Sequence, residues 1–158
     1  MLLLLSTNAG AVTITTETSL GGMSKALNDF YDRGGQLYDP DDLRVLSAVM
    51  QLENGSNSDE CLLLTGSVLM NRAQYCEWAP DTLRECVLQG YGTKFQQYAT
   101  HTVKHLDTVK VTRRVRKLAV QLLVFGQVCP KEVIYQSMNP KLGKLYRKVD
   151  SEYFATED

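Results

Sequence analysis

The sequence lacks the features that mark membrane-spanning and nucleic-acid-binding proteins. No apolar stretch among its 158 residues is long enough to cross a bilayer. It has 17 lysines and arginines against 18 aspartates and glutamates, a net charge of -1, so the whole molecule has no strong attraction to nucleic acid. There is neither an internal repeat nor a low-complexity segment. A hydrophobic content of 44% is ordinary for a globular protein, and we expect one folded domain that acts as a monomer.

Histidine and cysteine are scarce, and their spacing gives no signature of a metal site or a thiol enzyme. The only two histidines, His101 and His105, have the i, i+4 spacing that can hold zinc on a helix. The residues between them include no glutamate, and no third ligand is evident. The four cysteines form no CxxC pair, which leaves disulfides open, and Cys61 begins an apolar segment where a buried thiol is expected. We therefore predict no metal, no cofactor and no cysteine nucleophile.

The N-terminal segment is short of positive charge. MLLLLSTNAGA has an apolar start and a small-x-small end, as in a secretory signal, but the first basic residue is Lys25. Either the chain is a trimmed form of an exported protein or the likeness is accidental. We predict that residues 1–22 are a signal remnant or a flexible tail, and that residues 23–158 form a single domain.

Two consecutive helices dominate the hydrophobic pattern. Asp39-Pro40-Asp41 supplies an N-cap, a first-turn proline and an acidic first turn for one helix, and Asn54-Gly55 supplies its end. Ser58 is a good cap for the next, LLLTGSVLMNRAQY, which is apolar on nearly every side and is predicted to be the central helix. Gly66 and Ser67 should let a neighbour approach this helix closely.

Shorter elements are predicted around these two helices. Further helices are expected over 23–33, 80–88 and 112–125, and an exposed loop over 89–100. Two short strands, Val133–Tyr135 and Glu152–Phe154, are expected around a loop that contains proline and glycine. The predicted class is α+β, mainly α-helical, with a small β element near the C-terminus.

Glu53 is an unusual residue in this pattern. It follows Leu46, Val49 and Met50 at helical spacing, so it lies on the apolar side at the end of its helix. The partial negative charge of a helix C-terminus and partial burial both disfavour the carboxylate and raise its pKa. Such a carboxyl suits a general acid that must hold a proton near neutral pH. The alternative is that Glu53 turns into solvent at a frayed helix end.

The segment around Glu53 resembles a known family. LSAVMQLENGSNSDECLLLTGSVLMNRA is similar to the catalytic core of the SleB/CwlJ-type cell wall hydrolases, the spore-cortex-lytic family. In that family one helix ends in an acidic residue and a small-residue break, and the next ends in V-x-x-N-R; here these are Glu53 and Val68 to Arg72. Gln97-Tyr98, VIYQSMNP and SEYF follow in the order of the family's later motifs. The resemblance covers roughly residues 41–155.

The resemblance implies a lysozyme-like fold, of the goose-type lysozyme and lytic transglycosylase kind. It implies cleavage of peptidoglycan between N-acetylmuramic acid and N-acetylglucosamine, leaving a 1,6-anhydro end, with Glu53 as general acid and base. Such an enzyme would be exported and associated with the cell wall, or encoded by a phage and released at the wall. The resemblance and the residue types suggest these substrate-binding residues: Asn57, Gln97, Tyr98, Tyr135 and Gln136.

One departure from the family pattern leaves alternatives open. Many members have a second glutamate in an E-A-x-G-E motif, where Asn57 stands in this chain. A hydrolase that activates water needs a second, opposed carboxylate. Asp59 and Glu60 are near in sequence but better complement a helix N-terminus, and Asp107 stays open. The alternatives are a muramidase-type glycoside hydrolase with a carboxylate still to be identified, and a catalytically inactive wall-binding domain.

Other conspicuous residues have structural interpretations beside functional ones. Arg72 and its neighbour Asn71 should hold the fold through hydrogen bonds and an ion pair. Phe95 and Tyr98 either stack on sugar or anchor their loop. The basic segment KVTRRVRKLAV predicts either a solvated helix face or a surface that attracts the anionic cell wall, formed by Arg113, Arg116 and Lys117.

Overall fold

The computed structural model describes residues 5–7, 10–12, 37–140 and 142–157. The chain divides into two units, residues 1–36 and residues 37–158. In the first unit, strand β1 (Leu5–Thr7) pairs antiparallel with β2 (Gly10–Val12). The rest of the predicted tail and the helix predicted over 23–33 lie outside the described residues.

The second unit is mainly helical. Its described residues form α1 (Pro40–Asn54), α2 (Asp59–Tyr75), α3 (Leu83–Leu88), α4 (Thr100–His105) and α5 (Arg113–Phe125). Helices α1, α2 and α5 confirm the predicted ones, and α3 occupies most of the predicted 80–88. Helix α4 was not predicted. Its N-cap, Ala99, makes no side-chain hydrogen bond, so the sequence offers no start signal there.

The ends of α1 follow from local chemistry. Asp39 caps the start, with its carboxylate accepting from the backbone N–H of Asp41 at 2.7 Å, as predicted. The helix ends before Gly55, also as predicted, but Gly55 keeps right-handed angles (φ -57°, ψ -23°) and is not a left-handed cap. A Cβ at Gly55 would lie 2.5 Å from the carbonyl oxygen of Gln51, so a residue without a side chain is needed to finish the turn.

Helix α2 lies between two apolar cores, which confirms its predicted central position. On one side it packs with α1 and α5. A Cβ at Gly66 would lie 2.4 Å from Leu122 and 3.0 Å from Met50, so the glycine permits the predicted close approach. On the other side α2 packs against the sheet through a second buried cluster, made of Cys61, Leu64, Val68, Val133 and Phe154.

The C-terminal sheet has three antiparallel strands in the order β3 (Val133–Ser137), β5 (Glu152–Thr156), β4 (Lys144–Val149). Strands β3 and β5 confirm the predicted strands, but the loop predicted between them was wrong over β4. Most residues of β4 are exposed, so it has no alternating apolar pattern to reveal it. The strand forms because Asp150, at φ 52°, turns the chain back so that β4 pairs with β5.

The architecture confirms the predicted α+β class with a small sheet near the C-terminus. Helices supply most of the regular structure, and the sheet covers one side of α2. Of the residues that the structure describes, no helix is both long and apolar enough to cross a membrane.

Candidate functional site

Glu53 lies in the last turn of α1, where it is half-buried rather than turned into solvent. Its Oε1 accepts a hydrogen bond from the hydroxyl of Thr102 at 2.5 Å. Thr102 belongs to α4 and is only 1% exposed. The unpredicted helix α4 therefore supplies a direct partner of the predicted catalytic residue.

Burial raises the pKa of Glu53, and this is the largest influence on it. The hydrogen bond from Thr102, the Arg72 guanidinium and His101 all lower the pKa, but burial outweighs them. The predicted direction of the pKa shift is therefore confirmed. The sequence pattern did not reveal the three opposing groups, since they come from α2 and α4.

Arg72 is a buried cation beside Glu53. It is 4% exposed, and its Nε donates to the carbonyl oxygen of Ile134 at 2.6 Å. Its guanidinium carbon lies 5.4 Å from the ring centroid of Tyr98 and 6.0 Å from that of Tyr135. The predicted hydrogen-bonding role is confirmed, and the charge of Arg72 also favours the ionised form of Glu53.

Tyr98, predicted either to stack on sugar or to anchor its loop, lies in the main apolar core within range of the Glu53 charge, and so it anchors the loop. It is 9% exposed, and burial raises its pKa to about 12, with the charge of Arg72 acting in the opposite direction. Its phenol therefore stays protonated at any physiological pH. Phe95, from the same loop, is 67% exposed and does not anchor the loop. Gln97 is half-buried and turns its amide back to donate to the carbonyl oxygen of Phe95 at 2.9 Å.

Glu152 is a second buried carboxylate that sequence reasoning missed. It begins β5, is 7% exposed, and has a raised pKa, first because of burial. The charge of Glu53 raises that pKa further, whereas a hydrogen bond with the side chain of Gln136 lowers it. Glu53 is therefore close enough for its charge to act on the ionisation of Glu152.

The position of Glu152 follows from how the sheet is fixed to α2. Asp150 Oδ2 accepts from both the backbone N–H and the hydroxyl of Ser58, at 2.9 and 2.7 Å, which fixes the β4–β5 turn at the start of α2. Glu152 shares one face of β5 with Phe154, which lies in the buried cluster against α2. This alternation was a signal that Glu152 faces inward, because a phenylalanine two residues away marks the core side of the strand.

We call the connected group of side chains the Glu53 cluster. Its members are Glu53 of α1, Arg72 of α2, Tyr98 of the loop before α4, Thr102 of α4, Gln136 of β3 and Glu152 of β5.

The hydrogen bonds of Asn57 stabilise the junction between α1 and α2: its amide donates to Asn54 Oδ1 at 2.7 Å and to Cys61 Sγ at 3.5 Å. Tyr135 lies at the edge of the cluster, beside Arg72.

The histidines and cysteines supply no rival site. His101 and His105 lie beside each other, with ring centroids 4.5 Å apart. Within the described ranges, no group of three or more His, Cys, Asp or Glu side chains is arranged to hold a metal. Burial raises the pKa of all four free thiols, which is the opposite of what a nucleophilic cysteine needs. Cys61 is fully buried, as predicted.

The basic face of α5 is exposed, as predicted for Arg113, Arg116 and Lys117. Part of it lines an open groove of about 460 Å³ that also includes Asp59 and Arg114. Arg114 pairs with Asp59 at 2.6 Å. None of the Glu53 cluster lines this groove, so its chemistry is that of a charged surface and not of the acid site.

No family model, no curated protein and no solved structure matches the chain. The functional conclusion therefore depends on the chemistry of the residues themselves.

Proposed function

We propose that the protein is a lytic transglycosylase that cleaves the glycan strand of peptidoglycan between N-acetylmuramic acid and N-acetylglucosamine. Glu53 is its general acid and base, on a lysozyme-like fold of the goose-type kind. The observation that carries this proposal is the half-buried carboxyl of Glu53, whose pKa is raised by burial while three polar partners face it. The protein would act at the cell wall as a monomer, without a metal or cofactor.

The reaction needs one group that first gives a proton and then takes one back. Protonated Glu53 donates to the glycosidic oxygen, and the bond from that oxygen to C1 of the muramyl residue breaks. Positive charge then develops at C1. The Glu53 carboxylate next removes the proton from the muramyl C6 hydroxyl as its oxygen bonds to C1. The product is the 1,6-anhydro sugar, Glu53 is protonated again, and no water is consumed.

The surroundings of Glu53 suit both halves of this cycle. Burial favours the protonated form that starts the reaction. The Thr102 hydroxyl and the Arg72 charge favour the carboxylate that exists after the first proton transfer. Such opposed influences keep a carboxyl ready to exchange its proton in either direction, which is what a single acid and base requires.

A second candidate is a muramidase-type hydrolase, and Glu152 favours it. Hydrolysis needs a second carboxylate opposite the acid, either to activate water or to attack C1. Glu152 is a buried carboxylate within electrostatic range of Glu53 and is oriented by Gln136. The raised pKa of Glu152 favours its protonated form, so less of it is available as a base or nucleophile, and for this reason we place the transglycosylase first.

The products of digestion distinguish these functions. Purified peptidoglycan is incubated with the wild type, Glu53→Gln, Glu152→Gln and, as a control, Glu132→Gln, which changes an exposed glutamate in the loop before β3. The fragments are identified by mass spectrometry. We expect 1,6-anhydro fragments, one water lighter than hydrolysis products, from the wild type and Glu132→Gln and none from Glu53→Gln.

Other outcomes contradict parts of the proposal. Full-weight reducing ends that disappear with Glu152→Gln would identify the hydrolase instead. Binding of wild-type protein to sacculi without any release of fragments, on several wall types, would identify a catalytically inactive wall-binding domain.

A further inference from the structure

Trp78, the only tryptophan of the chain, lies in the connection between α2 and α3 and is 40% exposed. Its ring lies nearly parallel to that of Tyr135 on β3, with an interplanar angle of 14° and centroids 6.5 Å apart. Large aromatic side chains usually bury most of their surface. The two rings are stacked on each other, so the exposed part of the Trp78 indole is the aromatic surface that needs an explanation.

The polar atoms of both rings are already engaged. Glu157 Oε1 accepts from the indole N–H of Trp78 at 3.0 Å and from the hydroxyl of Tyr135 at 3.1 Å. The amide of Gln89 donates to the carbonyl oxygen of Trp78 at 3.0 Å, which fixes the connection that bears the indole. The two rings are therefore held in position, and what the pair offers a ligand is the exposed part of the Trp78 indole.

Arg72 connects the Trp78–Tyr135 pair to the Glu53 cluster. The Arg72 guanidinium carbon lies 6.0 Å from the Tyr135 centroid and 5.4 Å from the Tyr98 centroid, so it lies beside both rings. The charge of Arg72 lowers the pKa of Glu53, and the charge of Glu53 raises the pKa of Tyr98. The aromatic pair is therefore a neighbour of the Glu53 cluster, with the buried side chain of Arg72 in contact with both.

We propose that Trp78, held in place by its stacking on Tyr135, forms a sugar subsite that binds the face of an N-acetylhexosamine ring of the glycan strand; this inference rests on the proposed function. A pyranose has an apolar C–H face and a polar rim, which matches the exposed part of an indole that is bordered by the Glu157 carboxylate. The Glu157 carboxylate and the net charge of -1 disfavour a nucleic-acid strand, which stacks on aromatics but needs cations for its phosphates.

Trp78 gives a direct readout because it is the only tryptophan. Its fluorescence is titrated with the tetramer of N-acetylglucosamine, in a Glu53→Gln background so that no turnover occurs, and calorimetry measures the same binding independently. We expect a saturable change in fluorescence. Tyr135→Ala should weaken the affinity about tenfold, and Tyr135→Phe, which keeps the ring, should weaken it only about twofold.

Tyr146→Ala is the matched control, since it removes an exposed tyrosine from β4 on the opposite edge of the sheet. It should leave the affinity unchanged. Calorimetry is used for the Trp78 variants. Trp78→Phe should weaken binding slightly, and Trp78→Ala should weaken it strongly. Circular dichroism establishes that each variant is folded.

Different results would contradict the subsite and the proposed function. Calorimetric binding with no change in Trp78 fluorescence and no effect of Tyr135→Ala would overturn the subsite and leave the proposed function standing. The same holds if the tetramer does not bind although the wild type cuts sacculi. Failure of both binding and cutting would overturn both. Stronger quenching by a single-stranded oligonucleotide than by the tetramer would replace the sugar with a nucleic acid.

Discussion

Helix α2 is buried on both sides, yet its two sides bury different chemistry. Toward α1 and α5 the contacts are mainly apolar and uncharged, with Leu46, Met50 and Leu122 fully buried around Gly66. The Asn54 amide also donates to the Thr65 hydroxyl across this contact, at 2.8 Å. Toward the sheet, α2 buries Asn71 and Arg72, and the sheet itself buries Glu152. Burying apolar groups stabilises a fold, whereas burying charged groups costs free energy unless their partners offset it. We infer that the side of α2 that faces α1 and α5 stabilises the fold. On the side that faces the sheet, burying Arg72 and Glu152 costs free energy, and these residues serve the chemistry of the Glu53 cluster.

Truncating a side chain on the apolar side should have the largest effect on stability. Leu46 is 0% exposed and lies against the Gly66 position. Leu46→Ala leaves a cavity and should lower the free energy of unfolding by about 2–5 kcal/mol. Leu145→Ala, at a site 54% exposed, is the control and should change it by less than about 0.5 kcal/mol. Equal losses for the two variants in chemical denaturation would contradict the stabilising role of these buried apolar contacts.

Removing a buried charge on the sheet side should instead stabilise the protein at neutral pH. Glu152 has a pKa raised above its usual 4.5, so the folded state binds its proton more tightly than the unfolded state. Its contribution to stability is present below the unfolded pKa and is lost as the pH rises through the folded pKa. Glu152→Gln should therefore have a higher melting temperature than the wild type at about pH 8, with little difference at about pH 3. A lower melting temperature at about pH 8 would show that the carboxylate stabilises the fold.

Two changes around Glu53 should affect the pH dependence of activity differently. Thr102→Val removes the hydroxyl that favours the carboxylate, so the pKa of Glu53 should rise and activity should persist to higher pH. Glu152 is not among the groups that shift the pKa of Glu53, whereas the Glu53 charge raises the pKa of Glu152, so Glu53 ionises first and Glu152→Gln should leave its pKa almost unchanged. The measurement is the alkaline limb of sacculus lysis. Thr108→Val, at an exposed site, is the control, and equal shifts for Thr102→Val and Glu152→Gln would contradict the account.

Exposed charged side chains should contribute least to the stability of the fold. Asp107 bridges Arg84 and Arg44, and these two guanidinium groups lower its pKa to about 2. The stability it contributes is present above its usual pKa of 3.8 and is lost as the pH falls through about 2. Because all three side chains are partly exposed, Asp107→Asn should lower the free energy of unfolding by at most about 1 kcal/mol, and by less in high salt. A larger loss that persists in high salt would contradict this ranking.

The local features of this protein could be predicted from the sequence, and the tertiary ones could not. Asp39, Ser58 and the apolar spacing of α1 and α2 specify those helices through contacts within a few residues. Glu53 was found because its position on a helix face is itself local. Thr102 and Glu152 were missed because they reach Glu53 from α4 and β5, across 49 and 99 residues of chain. β4 was missed since an exposed edge strand has no core-facing pattern.

The measurement that tests the central claim most directly is a titration of the Glu53 carboxyl itself. Protein labelled with carbon-13 at glutamate carboxyl groups is titrated by NMR, and Glu53 is assigned by the signal missing from Glu53→Gln. The same protein is assayed for peptidoglycan lysis over the same pH range. We predict a titration midpoint above 4.5, the usual value for glutamate, that coincides with the alkaline limb of lysis. A midpoint at or below 4.5, or lysis that persists well above the midpoint, would contradict the role of Glu53 as the acid.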